Sequence, residues 1–181
     1  MIIMQILAIS GSLRAVSSNT AVLRAAAMLA PTGVNITIYS GLGDLPHFNP
    51  DIDVDPAPNS VASFREQLKQ SNGVLISSPE YAHGVPGSMK NALDWLVGSG
   101  ELVGKPVALI NTSPRATIAL ASLTEILTVM SARIIEKANI TLPIAGSGLD
   151  EVGIASHPEI SHSLKLVIEE FARYCFTNIK P

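Results

Sequence analysis

Short runs of Ile, Val and Leu alternate with stretches whose apolar residues recur at helical spacing, and the alternation runs along the whole chain. No other feature limits the fold so strongly. Residues 5–10, 35–40, 74–78 and 107–111 are of strand length and nearly continuous in apolar side chains, the pattern of parallel strands covered on both faces. A weaker fifth run spans residues 133–140. Between the runs lie five stripes of 3.6-residue period, carried by Val22 and Ala26, by Val61, Phe64 and Leu68, by Met89, Leu93 and Leu96, by Leu120, Leu123 and Leu127, and by Leu164, Val167 and Phe171. Local signals delimit these helices: Ser17 or Ser18 as a cap, Asn72-Gly73 as a stop, Ser113-Pro114 as a cap with proline in the first turn, and Ser156 with Glu159 as a capping box.

The order is therefore βα repeated five times. Right-handed crossovers place helices on both faces of one parallel sheet, a three-layer sandwich. Five strands favour the flavodoxin-like order 2-1-3-4-5 over the six-stranded dinucleotide fold. With 181 residues, of which 47% are hydrophobic and 15% charged, residues 1–181 are expected to form a single domain, not a disordered chain. The Pro/Asp-rich stretch 51–59 reads as a surface loop within it.

Several function classes drop out. A net charge of -3 offers no field for nucleic acid or an anionic membrane. Mean hydropathy is positive, yet every apolar run is broken well short of the roughly 18 residues a membrane span requires. The run 2–9 leads straight into a glycine turn, as a first strand does and a signal peptide does not. Cys175 is alone, which rules out an internal disulfide or zinc cluster and points to a cytoplasmic setting. His47, His83, His157 and His162 lack metal-ligand spacing. Cys175 is expected to pack within the last helix.

In open α/β sheets ligands sit at the carboxyl ends of the strands. After strand one the chain reads Ser10-Gly11-Ser12-Leu13-Arg14-Ala15-Val16-Ser17-Ser18-Asn19. Hydroxyls, an amide, a guanidinium and free N–H groups converge there at a helix start, where a phosphate binds well, and Arg14 can grip two oxygens at once. The same residues also read as a polar turn with a serine cap. The spacing matches neither the Walker loop nor the G-x-G-x-x-G fingerprint. The end of strand one lacks the carboxylates of a magnesium-dependent receiver domain, and Cys175 is misplaced for a cysteine phosphatase. A phosphomonoester held without metal remains. After strand three, Pro79, Gly84, Pro86 and Gly87 make a stiff loop of little bulk that can lay N–H groups along a planar ring, with Tyr81 as an aromatic neighbour; a proline-rich turn is the alternative.

Together the segments G-S-L-R-x-x-S-x-N and P-E-Y-x-x-G-x-P-G-x-x-K-N-A-x-D-W resemble the NADPH-dependent FMN reductase family, which includes quinone, azo and chromate reductases. They are read at Gly11, Ser12, Leu13, Arg14, Ser17 and Asn19, and from Pro79 to Trp95. The resemblance implies a flavodoxin-like domain with FMN bound non-covalently. Ser10, Ser12, Arg14, Ser17, Ser18 and Asn19 would hold its phosphate. Pro79, Glu80, Tyr81, Ala82, His83 and Gly84 would flank its ring, with Ser113 and Arg115 at the ring edge or facing the nicotinamide nucleotide. Lys90, Asn91, Asp94 and Trp95 would serve packing, capping and a dimer interface.

The activity implied is ping-pong transfer of a hydride from NADPH or NADH through FMN to a quinone, azo compound, chromate or free flavin. No catalytic acid or base and no metal is expected. A homodimer or homotetramer is. The segment Asn111 to Thr117 departs from the glycine-rich turn many relatives have there, which bears on the acceptor pocket. The loop 43–49 resembles one that relatives place near the site, and also reads as a surface turn. A flavodoxin-type one-electron carrier is the rival reading, opposed by Arg14 and the mild net charge; a flavin-binding module without turnover is a third.

Overall fold

The computed structural model describes residues 3–177, so Ile2 of the first run and the ends of the expected domain 1–181 lie outside the described residues. The elements are β1 (Met4–Ser10), α1 (Ser18–Met28), β2 (Val34–Tyr39), α2 (Asn59–Gln70), β3 (Gly73–Ser77), α3 (Gly87–Val97), β4 (Pro106–Asn111), α4 (Thr117–Val129), β5 (Arg133–Ile134), β6 (Ile140–Thr141), α5 (Glu151–Ser156) and α6 (Pro158–Thr177). The strands are parallel in the order β2-β1-β3-β4-β5, and β6 also pairs with β4. This is the expected sheet order.

Alternation along β1 builds two cores. Ile6 and Ala8 face a layer made with α1 and α6, including Val22, Leu164 and Phe171. Leu7 and Ile9 face the other layer, with Phe64 of α2, Met89 and Trp95 of α3, and Leu123 and Leu127 of α4. Each large apolar side chain removed from water contributes about 1.5–3 kcal/mol, so both layers hold the sheet firmly. Gly73, where β3 begins, is fixed by a close approach: a Cβ there would lie 2.8 Å from both Phe171 Cζ and Cys175 Sγ.

Four local expectations are corrected. The fifth run is not one strand: β5 and β6 are two short pieces around a turn of 3-10 helix at Glu136–Ala138. Ala138 is buried there, and the gap in the ladder is filled by Asn139 Oδ1, which accepts from Leu109 N–H at 2.8 Å. Helix α2 does not stop on Asn72-Gly73. Ser71 is its C-cap, Asn72 Oδ1 accepts from Gln5 N–H at 2.8 Å, and Gly73 already belongs to β3.

Ser113-Pro114 does not start α4. Those residues form a turn, Ala116 N–H donating to Ser113 C=O, and the helix begins three residues after Pro114, at Thr117. Ser156 with Glu159 makes no capping box, because Ser156 ends α5, a short helix capped by Asp150, and Pro158 opens α6. Proline's fixed φ suits that first position.

Candidate functional site

Three loops at the carboxyl ends of β1, β3 and β4, joined by residues 145–146 after β6, line a cavity of about 330 Å³. The first loop turns sharply. Gly11 permits it, because a Cβ there would overlap the Ser78 side chain. Ser10 Oγ sits 2.8 Å from Thr20 Oγ1 and accepts from Ser12 N–H at 3.3 Å, so it braces the loop and does not line the cavity. Ser17 caps α1, accepting from Thr20 N–H at 3.3 Å. Ser12, Arg14, Ser17, Ser18 and Asn19 all line the cavity.

Asn19 has a second task. Its side chain is buried beneath the loops, where Oδ1 accepts from Ser77 Oγ at 2.9 Å and from Thr112 Oγ1 at 3.3 Å. One amide thus ties the ends of β3 and β4 to the start of α1. Arg14 is different. Its exposed guanidinium has no protein partner among the described residues, and the same holds for Arg115 on the opposite wall.

The second loop is tighter than its prolines alone require. Tyr81 and Gly84 exchange two backbone hydrogen bonds, of 3.1 and 3.0 Å, around the two-residue turn Ala82-His83. Both turn residues are left-handed, with φ of 49° and 58°. Such a turn favours Asn-Gly, and side chains with a Cβ carry strain in it.

Glu80 anchors it from both sides. Oε2 accepts from Ala119 N–H at 2.8 Å, capping α4, and Oε1 lies 3.1 Å from His83 Nδ1. The Ala119 N–H, aided by His83, holds the Glu80 carboxyl below its usual range despite opposing desolvation. Among the described residues the N–H groups of Ala82 and His83 have no protein acceptor. Pro79, Glu80 and Tyr81 line the cavity; Ala82, His83 and Gly84 form the turn at its rim. From the third loop come Ser113 and Arg115, with Asn111 and Thr112, which sequence reasoning did not select. Residues 145–146 were also missed. Thr112 C=O accepts from the N–H groups of Ile144 and Ala145 at 3.1 and 2.9 Å and draws them in.

The end of the second motif lies apart from the cavity. Lys90 and Asp94 pair at 2.6 Å along α3. Asn91 donates to Pro46 C=O at 2.9 Å and accepts from Phe48 N–H at 2.7 Å, while Trp95 Nε1 donates to the same carbonyl at 2.8 Å. These residues pin the 43–49 loop to α3. Cys175 is buried against Gly73, and desolvation pushes its thiol up to about 12. Among the described residues no group of His, Cys, Asp or Glu could hold a metal ion.

The cavity is rich in hydrogen-bond donors. Two unpaired guanidiniums, hydroxyls and the Asn19 amide favour an anion; free turn N–H groups and the half-exposed Tyr81 favour the edge and face of a planar ring. Its carboxylate, on Glu80, is already engaged. The donor set fits a phosphorylated flavin.

Sheet order and site together define a flavodoxin-like α/β protein with a donor-rich cavity at the carboxyl ends of its strands. Within that class, the sequence profile described as NADPH-dependent FMN reductase matches residues 4–146, and the chain belongs to that family. It is similar to a quinone reductase of Pseudomonas putida, 42% identical over 111 residues, which are 59% of this chain and 58% of that protein. A quinone reductase of Escherichia coli is 37% identical over 118 residues, 64% of this chain and 62% of that one. These matches span less than two thirds of either relative. Among solved structures, the flavoenzyme NAD(P)H:(acceptor) oxidoreductase FerB of Paracoccus denitrificans aligns over 97% of this chain and 98% of its own, with TM-score 0.78 and 26% identity.

Proposed function

We propose that the chain is an NAD(P)H-dependent, FMN-containing oxidoreductase that reduces small acceptors such as quinones, azo compounds, chromate or free flavin. The observation that carries this reading is the joining, in one cavity, of an unpaired Arg14 and serine hydroxyls at one end with the Pro79–Tyr81 wall at the other. The names of the relatives above agree with it. When bound, FMN supplies the redox chemistry, taking two electrons from the nicotinamide nucleotide and passing them to the acceptor in alternate steps.

The residues present bind and orient. Arg14 neutralises the phosphate, Ser17 caps α1 and keeps its N-terminus open to the same anion, and Asn19 fixes the loops relative to one another. The strained turn fixes the N–H groups of Ala82 and His83 without protein acceptors, so they would offer preorganised donors to the edge of a bound flavin ring, where negative charge would be stabilised. Leu13 and Tyr81, both more than one-third exposed, give the mouth an apolar rim suited to a flat aromatic acceptor. No side chain is assigned as a proton donor or acceptor.

A homodimer or homotetramer is favoured by exposed Val97 at the end of α3 and Val103 beyond it. Among the described residues no helix is long and apolar enough to cross a membrane, and the reducing cytoplasm is the setting that a single unpaired cysteine favours. The test is direct. Purified chain given FMN should turn yellow, and anaerobic NADPH or NADH should bleach it until a quinone restores the colour. A protein that stays colourless in excess FMN removes the reading, and one that binds FMN without oxidising either nucleotide is the carrier instead.

A further inference from the structure

The FMN site does not end at Arg14. Beyond it lies a second cavity of about 370 Å³, between the first loop, the outer flank of α1 and the segment 146–151. Arg14, Ser17, Ser18 and Gly146 line both spaces, so the two meet at the end assigned to the phosphate. The remaining walls are chemically mixed. Arg24 supplies a second guanidinium, ion-paired with Glu151 at 3.7 Å; both side chains stay partly exposed and keep further hydrogen-bonding capacity. Val16, 82% exposed, presents an apolar surface at the loop tip. Gly146 and Gly148 are left-handed and leave open space where side chains would stand.

A ligand ending in one phosphate uses none of this. We propose that the second cavity receives the adenylate half of a flavin dinucleotide, so that the chain takes FAD as well as FMN. The inference rests on the flavin reading of the first cavity. Each part of an adenylate meets a suitable group: the added phosphate an arginine, with Arg14 on one side and Arg24 on the other, the ribose hydroxyls the Glu151 carboxylate, and the base the bare Val16 and the glycine-lined wall. Glu151 and Asp150 oppose a purely anionic occupant and accept hydrogen bonds from a nucleoside. Asp150 Oδ1 is already bound to Gly153 N–H at 2.7 Å, which leaves Glu151 for that task.

Competition decides the matter. The full FMN-loaded chain is dialysed against equal concentrations of FMN and FAD, and the retained flavins are extracted and quantified. The expected ratio of FAD to FMN is at or above one, and in Arg24→Ala it falls about tenfold while total bound flavin is unchanged. Alanine on the exposed flank of α1 keeps the helix intact, and Arg24→Lys should retain most of the FAD preference. A ratio below one, or a ratio that Arg24→Ala does not move, overturns the proposal and leaves the FMN reading standing. Retention of neither flavin overturns both.

Discussion

Replacing Asn19 by alanine should loosen the floor of the site before it affects any ligand. Ser77 has no exposed surface, and its hydroxyl donates to Asn19 Oδ1 at 2.9 Å. A buried hydroxyl deprived of its acceptor costs about 1–3 kcal/mol. The space left by the amide adds about 1 kcal/mol. Asn19→Ala should therefore lower the unfolding free energy by about 2–4 kcal/mol, read as a shift of the urea midpoint at unchanged slope. Ser77→Ala alone should cost about 1 kcal/mol, because it removes a donor and leaves Asn19 its Thr112 partner. The double variant should be no less stable than Asn19→Ala, with a coupling of about 1–2 kcal/mol, since the stranded Ser77 hydroxyl is gone from it. Thr112→Val should couple to Asn19 by less than about 0.5 kcal/mol, because its 3.3 Å contact is long for an O–H donor. Strictly additive losses at Asn19 and Ser77 would refute the reasoning.

The other expectations can be tested alongside. Arg14→Ala should weaken FMN about 10- to 100-fold by calorimetry, with Arg14→Lys between it and the native chain. The Glu80 carboxyl is held below its usual range, so its contribution is complete above the unfolded carboxyl's pKa and is lost as pH falls through the lower folded value. The gap in urea midpoint between the native chain and Glu80→Gln should accordingly be present at about pH 7 and shrink as pH falls below the ordinary carboxyl range; a gap independent of pH would contradict this. Ala82→Asn should stabilise the chain by about 0.5–1 kcal/mol, since asparagine tolerates the left-handed turn position better, and a loss of stability would speak against strain there.

Much of this architecture can be read from the chain because burial on both faces leaves a plain trace. The first four strand runs map onto β1 to β4, all five stripes map onto α1 to α4 and α6, and the sheet order follows from crossover geometry. The fifth strand was misread because its interruption is made good by the Asn139 side chain, which periodicity does not register. Helix α5 was missed: it has six residues, with Gly153 among them. The cap of α4 was misplaced since its acceptor, Glu80, comes from 39 residues away in sequence. Within the site, the loops after β1 and β3 were legible because backbone-shaping residues crowd there. Asn111, Thr112 and residues 145–146 were not. Asn111 and Thr112 stand at the end of β4 with no motif to mark them, whereas residues 145–146 are brought in beyond the pairing of β6 with β4, with the glycines of residues 146–148 as the available signal.

The single sulfhydryl carries a consequence for the proposed chemistry. Quinones are electrophiles that arylate any accessible thiolate they meet. Cys175 lies buried against Gly73 at the start of β3 and stays protonated, its thiol pushed up to about 12. On the proposed reading, the chain offers a quinone acceptor no accessible thiol of its own among the described residues, and a cysteine introduced at the mouth of the cleft would be a reporter free of thiol background.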